Sequence, residues 1–167
     1  CKRIRIVSNI ISYGIALPHY RIEDTILFPV SAKKGAMRAV CYSDEDIITL
    51  AFDATKNCFE NLLSKNSHLT SNIDGIFFAT STPVFHHRYH ASFLGDLLNL
   101  PQGILALDFT NSFRSGTDAI ILSNNLIDSG KYKNILVVAV DVDYPEIGKE
   151  QSSAFGHAAC AMLMSNE

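Results

Sequence analysis

Leu105 to Asp141 reads as strand, tight turn, helix, turn and strand, and this run constrains the fold more than any other part of the chain. Ile104 to Phe109 is a short apolar run, and Asn134 to Val140 (NILVVAV) is an unbroken β-branched and aliphatic one. Strands that are apolar on both sides are buried on both faces. Between them, Arg114 to Ser129 carries Ala119, Ile120, Ile121, Leu122, Leu126 and Ile127 at helical spacing, and Gly130 followed by Lys131 supplies a C-terminal stop. The unit is a βαβ crossover, so its two strands are expected to be parallel.

The same alternation runs through the rest of the chain. Arg3 to Leu17 is a strand-like run ending at Pro18, and His19 to Arg38, with Pro29 and Gly35, reads as an irregular loop long enough to be functional. Ser43 with Asp46 three residues on resembles a capping box, and Asp44, Glu45 and Asp46 place negative charge where a helix dipole favours it. Ile47, Ala51, Ala54, Cys58 and Leu62, with Ile48, Phe52, Phe59 and Leu63, then mark an amphipathic helix to about Lys65. Ile73 to Thr80 is the next strand and His90 to Leu100 the next helix. Phe155 to Ser165 is a final strand with no helix-length segment before it. The expected order is β-α-β-α-β-α-β-β, an α/β domain with a mixed, mainly parallel five-stranded sheet flanked by helices.

Composition excludes several classes. The 167 residues suit one domain, and 47% apolar content fills one sizeable core. A net charge of −3 with scattered Lys and Arg offers no basic stripe for nucleic acid or an anionic bilayer. No apolar run approaches the roughly 18 to 20 residues of a spanning helix, and CKRIRI is not a signal peptide, so a cytoplasmic protein without a membrane partner is expected. The four cysteines, Cys1, Cys41, Cys58 and Cys160, lack metal-ligand spacing and disulfide density, and read as reduced, mostly buried thiols. Cys58 and Cys160 fall in apolar surroundings, as small hydrophobes do.

Several motifs in order, SYGIALPHYRI, DEDIITLA, IFFATSTP, LGDLLNL, DFTNSFRSGTDAI, SGKYKNILVVAVDV and FGHAACAML, resemble the thiolase superfamily, within it the 3-hydroxy-3-methylglutaryl-CoA synthase and ketoacyl synthase III-like branch. The resemblance covers nearly the whole chain. It implies a single thiolase-like N-terminal half-domain over 1–167, because family members pair two such halves about a pseudo-twofold axis, and the catalytic His belongs to the other half. In the family a nucleophilic Cys sits in the turn before the helix that starts near Arg114. With Asp108, Asn111, Gly116 and Thr117 matching, the Cys position falls on Phe113, whose ring cannot attack a thioester. The branch also places a Glu acid/base in a Gly-Thr-Glu-Thr pattern, which here reads Ala79-Thr80-Ser81-Thr82.

The candidate catalytic residues are therefore hydroxyls. Ser112 and Ser115 flank the lost thiol, although a Ser needs an adjacent base and no His lies near in sequence. Ser81 either contacts substrate or accepts an acyl group, or else caps a strand end. Candidate substrate contacts are Arg114, which either grips an anion or pairs with Asp118 at i+4, and His86. His86, His87, Arg88 and His90 lack a neighbouring Glu, Asp or Cys to complete a metal shell, so no metal is expected; the resemblance puts this segment at the interface between subunits near the site and implies a polar contact to a partner or ligand, while the residues alone read as a solvated helix start. His157 in an apolar strand reads as a hydrogen-bonded core residue.

The resemblance implies an acyltransferase component acting on acyl-CoA or a phosphopantetheine-linked acyl group, with no permanently bound cofactor. Its catalysis would be altered or supplied by a partner, either the second half or a homologous subunit. The alternative is a catalytically silent scaffold for an active homologue. In either case the 114–129 helix exposes apolar surface that a partner would cover. The isolated chain is expected to self-associate, and size-exclusion chromatography showing a stable monomer would contradict this.

Overall fold

The structure, a computed structural model, describes residues 8–27, 33–64, 72–110, 112–143 and 156–166. Its elements are β1 (Asn9–Ala16), β2 (Tyr20–Glu23), α1 (Asp24–Leu27), β3 (Met37–Val40), α2 (Ile47–Leu63), β4 (Gly75–Ala79), α3 (His90–Leu97), β5 (Leu105–Phe109), α4 (Ser115–Asp128), β6 (Asn134–Asp141) and β7 (Ala158–Ser165). The five-stranded sheet has the order β1-β7-β6-β4-β5, in which β4 runs parallel to both β5 and β6, and β7 runs antiparallel to β6 and β1. The crossover through α4 therefore joins two parallel strands that are not neighbours, since β4 lies between them.

The sheet divides the core in two. On one face Ile47, Ala51, Ala54, Cys58 and Leu62 of α2 and Ala91 and Leu94 of α3 pack against Ile76, Phe78, Leu136, Val138, Ala161 and Leu163. On the other, Ala119 and Ile127 of α4 pack against Phe77, Ile135, Val137 and Met164. The helical spacing read for α2 is thus the spacing of its buried stripe. β4 and most of β6 are buried, as expected for strands covered on both faces. β5 is only half-buried because it is an edge strand, a correction to the burial expected from its apolar run.

Four further details differ from the sequence reading. The 19–38 segment is ordered where described: β2 and β3 form an antiparallel pair, and the Arg38 guanidinium reaches back to both carboxylate oxygens of Asp24 at 3.0 and 3.2 Å. The capping box at α2 is Asp46 with Thr49, one turn later than the Ser43 start: Asp46 Oδ1 accepts from the Thr49 amide at 2.8 Å, and Thr49 Oγ1 accepts from the Asp46 amide at 2.7 Å. α3 stops at Leu97 because Asn99 turns left-handed, with φ 53°, and the Leu100 and Asn99 amides close back on Gly95 and Asp96 in a Schellman motif. The final strand begins at Ala158, and Phe155 and Arg3 to Val7 lie outside the described residues.

β1 lies directly on α2. A Cβ at Gly14 would sit 2.2 Å from the Cys58 nitrogen and 2.3 Å from the Ala54 oxygen, so the glycine is what lets strand and helix backbones touch. Ser12 reinforces the contact by donating to the Cys58 carbonyl at 2.7 Å. Gly14→Ala is expected to force β1 off α2 and cost about 3 kcal/mol, the upper range for overpacking, read as a lowered urea midpoint with an unchanged slope.

Candidate active site

The parallel strands end in register, Ala79 beside Phe109 on one side and Ala139 on the other, so the loops after β4 and β5 and the last residue of β6 meet at one edge of the sheet. This is where open α/β sheets place their sites. Asp141, the terminal residue of β6, organises the edge. Its Oδ1 accepts from the Ser81 amide at 2.6 Å, Ser81 Oγ at 3.0 Å, Thr80 Oγ1 at 3.1 Å and Thr82 Oγ1 at 3.4 Å. The threonine hydroxyls accept in turn, Thr80 from the Thr82 amide at 3.0 Å and Thr82 from the Val142 amide at 3.1 Å. A carboxylate accepting several donors makes short, charge-assisted bonds and fixes them in place.

Opposite this cluster is the turn between β5 and α4. Ser112 holds the turn through both of its oxygens: Oγ accepts from the Arg114 amide at 3.1 Å and the carbonyl from the Ser115 amide at 3.1 Å. Phe113 projects from it with 79% of its surface exposed. Between turn and cluster lies a cavity of about 300 Å³, lined by Ser81, Asp141, Ser112, Phe113, Thr117 and Met162 among others. Ser81, Ser112 and the position of the expected thiol are thus brought together.

Arg114 and His86 are not part of that cavity. The Arg114 guanidinium points outward and lies 4.0 Å from Asp118, with both side chains mostly exposed, a pair that contributes little to stability. His86 lines a separate space of about 560 Å³ with His87, Arg88 and Tyr89. His90 leaves its neighbours and turns inward, stacked between Phe78 and Phe85. Its Nε2 accepts from the Val84 and Phe85 amides, each at 3.1 Å, so the ring proton sits on Nδ1 and is donated to Asp108 Oδ2 at 2.7 Å. Asp108 also accepts from the His90 and Ala91 amides at 2.8 and 2.9 Å, capping α3. Among the described residues no group of three or more His, Cys, Asp and Glu side chains is placed to hold a metal.

The described thiols lie outside the lining of the cavity. Cys58 is fully buried and Cys160 half-buried, its thiol pushed up by burial. Burial, with the Glu45 and Asp46 carboxylates adding to it, pushes the Cys41 thiol up to about 11. A thiol held protonated is a poor nucleophile. His157 is structural: Nδ1 accepts from the Cys41 amide at 2.7 Å and Nε2 reaches the Asp143 carbonyl at 2.9 Å.

No protein-family model matches the chain. It is 25% identical over 165 residues to the hydroxymethylglutaryl-CoA synthase of Caldivirga maquilingensis, covering 93% of this chain and 46% of that protein. The chain spans about half the length of the curated relatives it matches. Among solved structures, 3-oxoacyl-[acyl-carrier-protein] synthase III from Aquifex aeolicus superposes with a TM-score of 0.80 at 22% identity, over 95% of this chain and 53% of that one. MvaS in complex with 3-hydroxy-3-methylglutaryl coenzyme A superposes with a TM-score of 0.82 at 23% identity, over 96% and 40%. The fold is thiolase-like, and the relatives are hydroxymethylglutaryl-CoA synthases. This thiolase-like chain carries Phe113 in the turn before α4 and Ser81 after β4, the two places where the motif resemblance leads one to look for a thiol and a carboxylate.

Asp141 is the residue that sequence reading passed over. The available signal was a lone carboxylate ending an otherwise apolar parallel strand, at the edge where such sheets bind ligands. His90→Phe keeps the stacking but strands the Val84 and Phe85 amides and removes one of the two donors to Asp108 Oδ2; it is expected to cost about 3 kcal/mol, measured as a lower melting temperature in differential scanning calorimetry.

Proposed function

We propose that this chain is one half of a thiolase-fold acyl-thioester enzyme, resembling hydroxymethylglutaryl-CoA synthase and ketoacyl synthase III, in which the chemistry has moved away from position 113. The observation that carries the reading is the cavity at the strand ends, whose lining includes Ser81, Ser112 and the Asp141 carboxylate that Ser81 bonds. Its substrate would be an acyl group on CoA or on a carrier's phosphopantetheine. A thioester is already activated, so no resident cofactor is needed for acyl transfer.

The partner in this reading is the second thiolase half or a homologous subunit. Two features support it beside the half-length match. Tyr13 and Ile15 of β1 stand more than half exposed, beside the part of β7 that α4 covers through Met164. α4 itself turns Ile121 to solvent. Exposed apolar side chains of this kind are the ones a partner would cover.

A catalytically silent scaffold is the second reading, and Phe113 favours it. An exposed aromatic ring at the tip of a turn makes a good anchor for a partner and no nucleophile at all. Intact mass spectrometry of the native complex, incubated with acetyl-CoA and acetoacetyl-CoA and resolving each chain, separates the two. We expect an acyl adduct on this chain; an adduct confined to the co-purifying chain would make this one the scaffold.

A further inference from the structure

We propose that Ser81 and Asp141 form an acyl-accepting pair, in which Asp141 takes the proton of Ser81 Oγ as that oxygen attacks a thioester carbonyl. The inference rests on the acyl-thioester reading above and names the residues that carry it out.

Two hydroxyls of the cavity reach Asp141 Oδ1, but Thr80 is 1% exposed and its Oγ1 already accepts from the Thr82 amide, whereas Ser81 is partly exposed. Ser81 Oγ lies 3.0 Å from Asp141 Oδ1, within the reach a general base needs. Asp141 is the one titratable side chain among the described residues that line the cavity. Ser112, by contrast, is exposed and its Oγ is used as an acceptor for the Arg114 amide. A serine without an adjacent base is a weak nucleophile, and a serine with one is the usual solution when no thiol is available. The carboxylate is also held still: the Ser81 amide and two threonine hydroxyls fix Oδ1, and none of these bonds falls on Oδ2. The opposite wall of the cavity includes Gly116 and Thr117 in the first turn of α4, where amides have no intrahelical acceptor and the helix dipole favours negative charge. That wall suits the oxygen on which charge develops during acyl transfer.

The step balances without a redox partner. The bond from Ser81 Oγ to the acyl carbon forms, the hydroxyl proton passes to the Asp141 carboxylate, the carbon–sulfur bond breaks, and the same proton goes to the departing thiolate. The products are an acyl ester on Ser81 and a free thiol, that of CoA or of the carrier. The pair puts a carboxylate back at the end of β4, supplied by the neighbouring strand.

The test uses the native complex with acetyl-CoA as the probe, following adduct formation by intact mass against time and locating the adduct by peptide mapping. The wild-type chain is expected to carry one acetyl group on Ser81, and Ser81→Ala to carry none. Asp141→Asn keeps an oxygen to accept every bond now made to Oδ1, so its melting temperature should stay close to wild type. Its acylation should slow by about 100-fold or more, the usual contribution of a general base. An adduct that maps to Ser112, or one that forms on Asp141→Asn at the wild-type rate, overturns the pair while leaving the acyl-thioester reading in place. An adduct found only on the co-purifying chain overturns both.

Discussion

Two carboxylates on the strands that flank β4 hold the loop that leaves it. Asp141 at the end of β6 gathers Thr80, Ser81 and Thr82 at the start of that loop, and Asp108 on β5 gathers His90 and Ala91 at its end. His90 adds a third tie by accepting from the Val84 and Phe85 amides in the middle. The sheet order β6-β4-β5 makes this clamp available, because only a central strand has a neighbour on each side to supply a side chain. The rest of the site follows from it: the floor of the cavity is the clamped start of the loop, and the histidine segment is displaced to the far side of the same loop.

Local signals in the chain carried most of the architecture. The spacing of Ile47, Ala51, Ala54, Cys58 and Leu62 defined the buried stripe of α2, Gly130 marked the end of α4, and the unbroken run before Asp141 marked a buried strand. What escaped was non-local. An apolar run does not say whether a strand is central or at an edge, so β5 read like β6 although one is half-exposed and the other mostly buried. The α2 cap was misplaced by one turn because Asp46 serves as its own cap and recruits a Thr, a pair outside the usual Ser or Thr followed by Glu pattern. Hydrogen bonds across 59 to 61 residues of sequence, such as those from Thr80, Ser81 and Thr82 to Asp141, are invisible until the register of β4 and β6 is known.

The site itself was half legible. Ser81 and Ser112 were picked out as the hydroxyls nearest two altered positions, and the structure places both on one cavity. Arg114 and His86 lie outside that cavity, one exposed beside Asp118 and the other lining a different space. His90 shows why residue type alone misleads: in a run of imidazoles it was the one withdrawn from solvent, committed through both ring nitrogens to holding backbone and carboxylate.

The β1 margin of the sheet is finished by the helix behind it. Along β1, the side-chain amides of Asn57 and Asn61 reach over from α2 and donate to the carbonyls of Ile15 and Tyr13 at 2.8 and 2.9 Å, using up acceptors that an incoming strand would need. Edge strands left with free acceptors are templates for further pairing, and side chains that occupy them close that route. Strand addition at the β1 margin is therefore opposed from within, because two of the acceptors it would use are held by the helix that packs behind the strand.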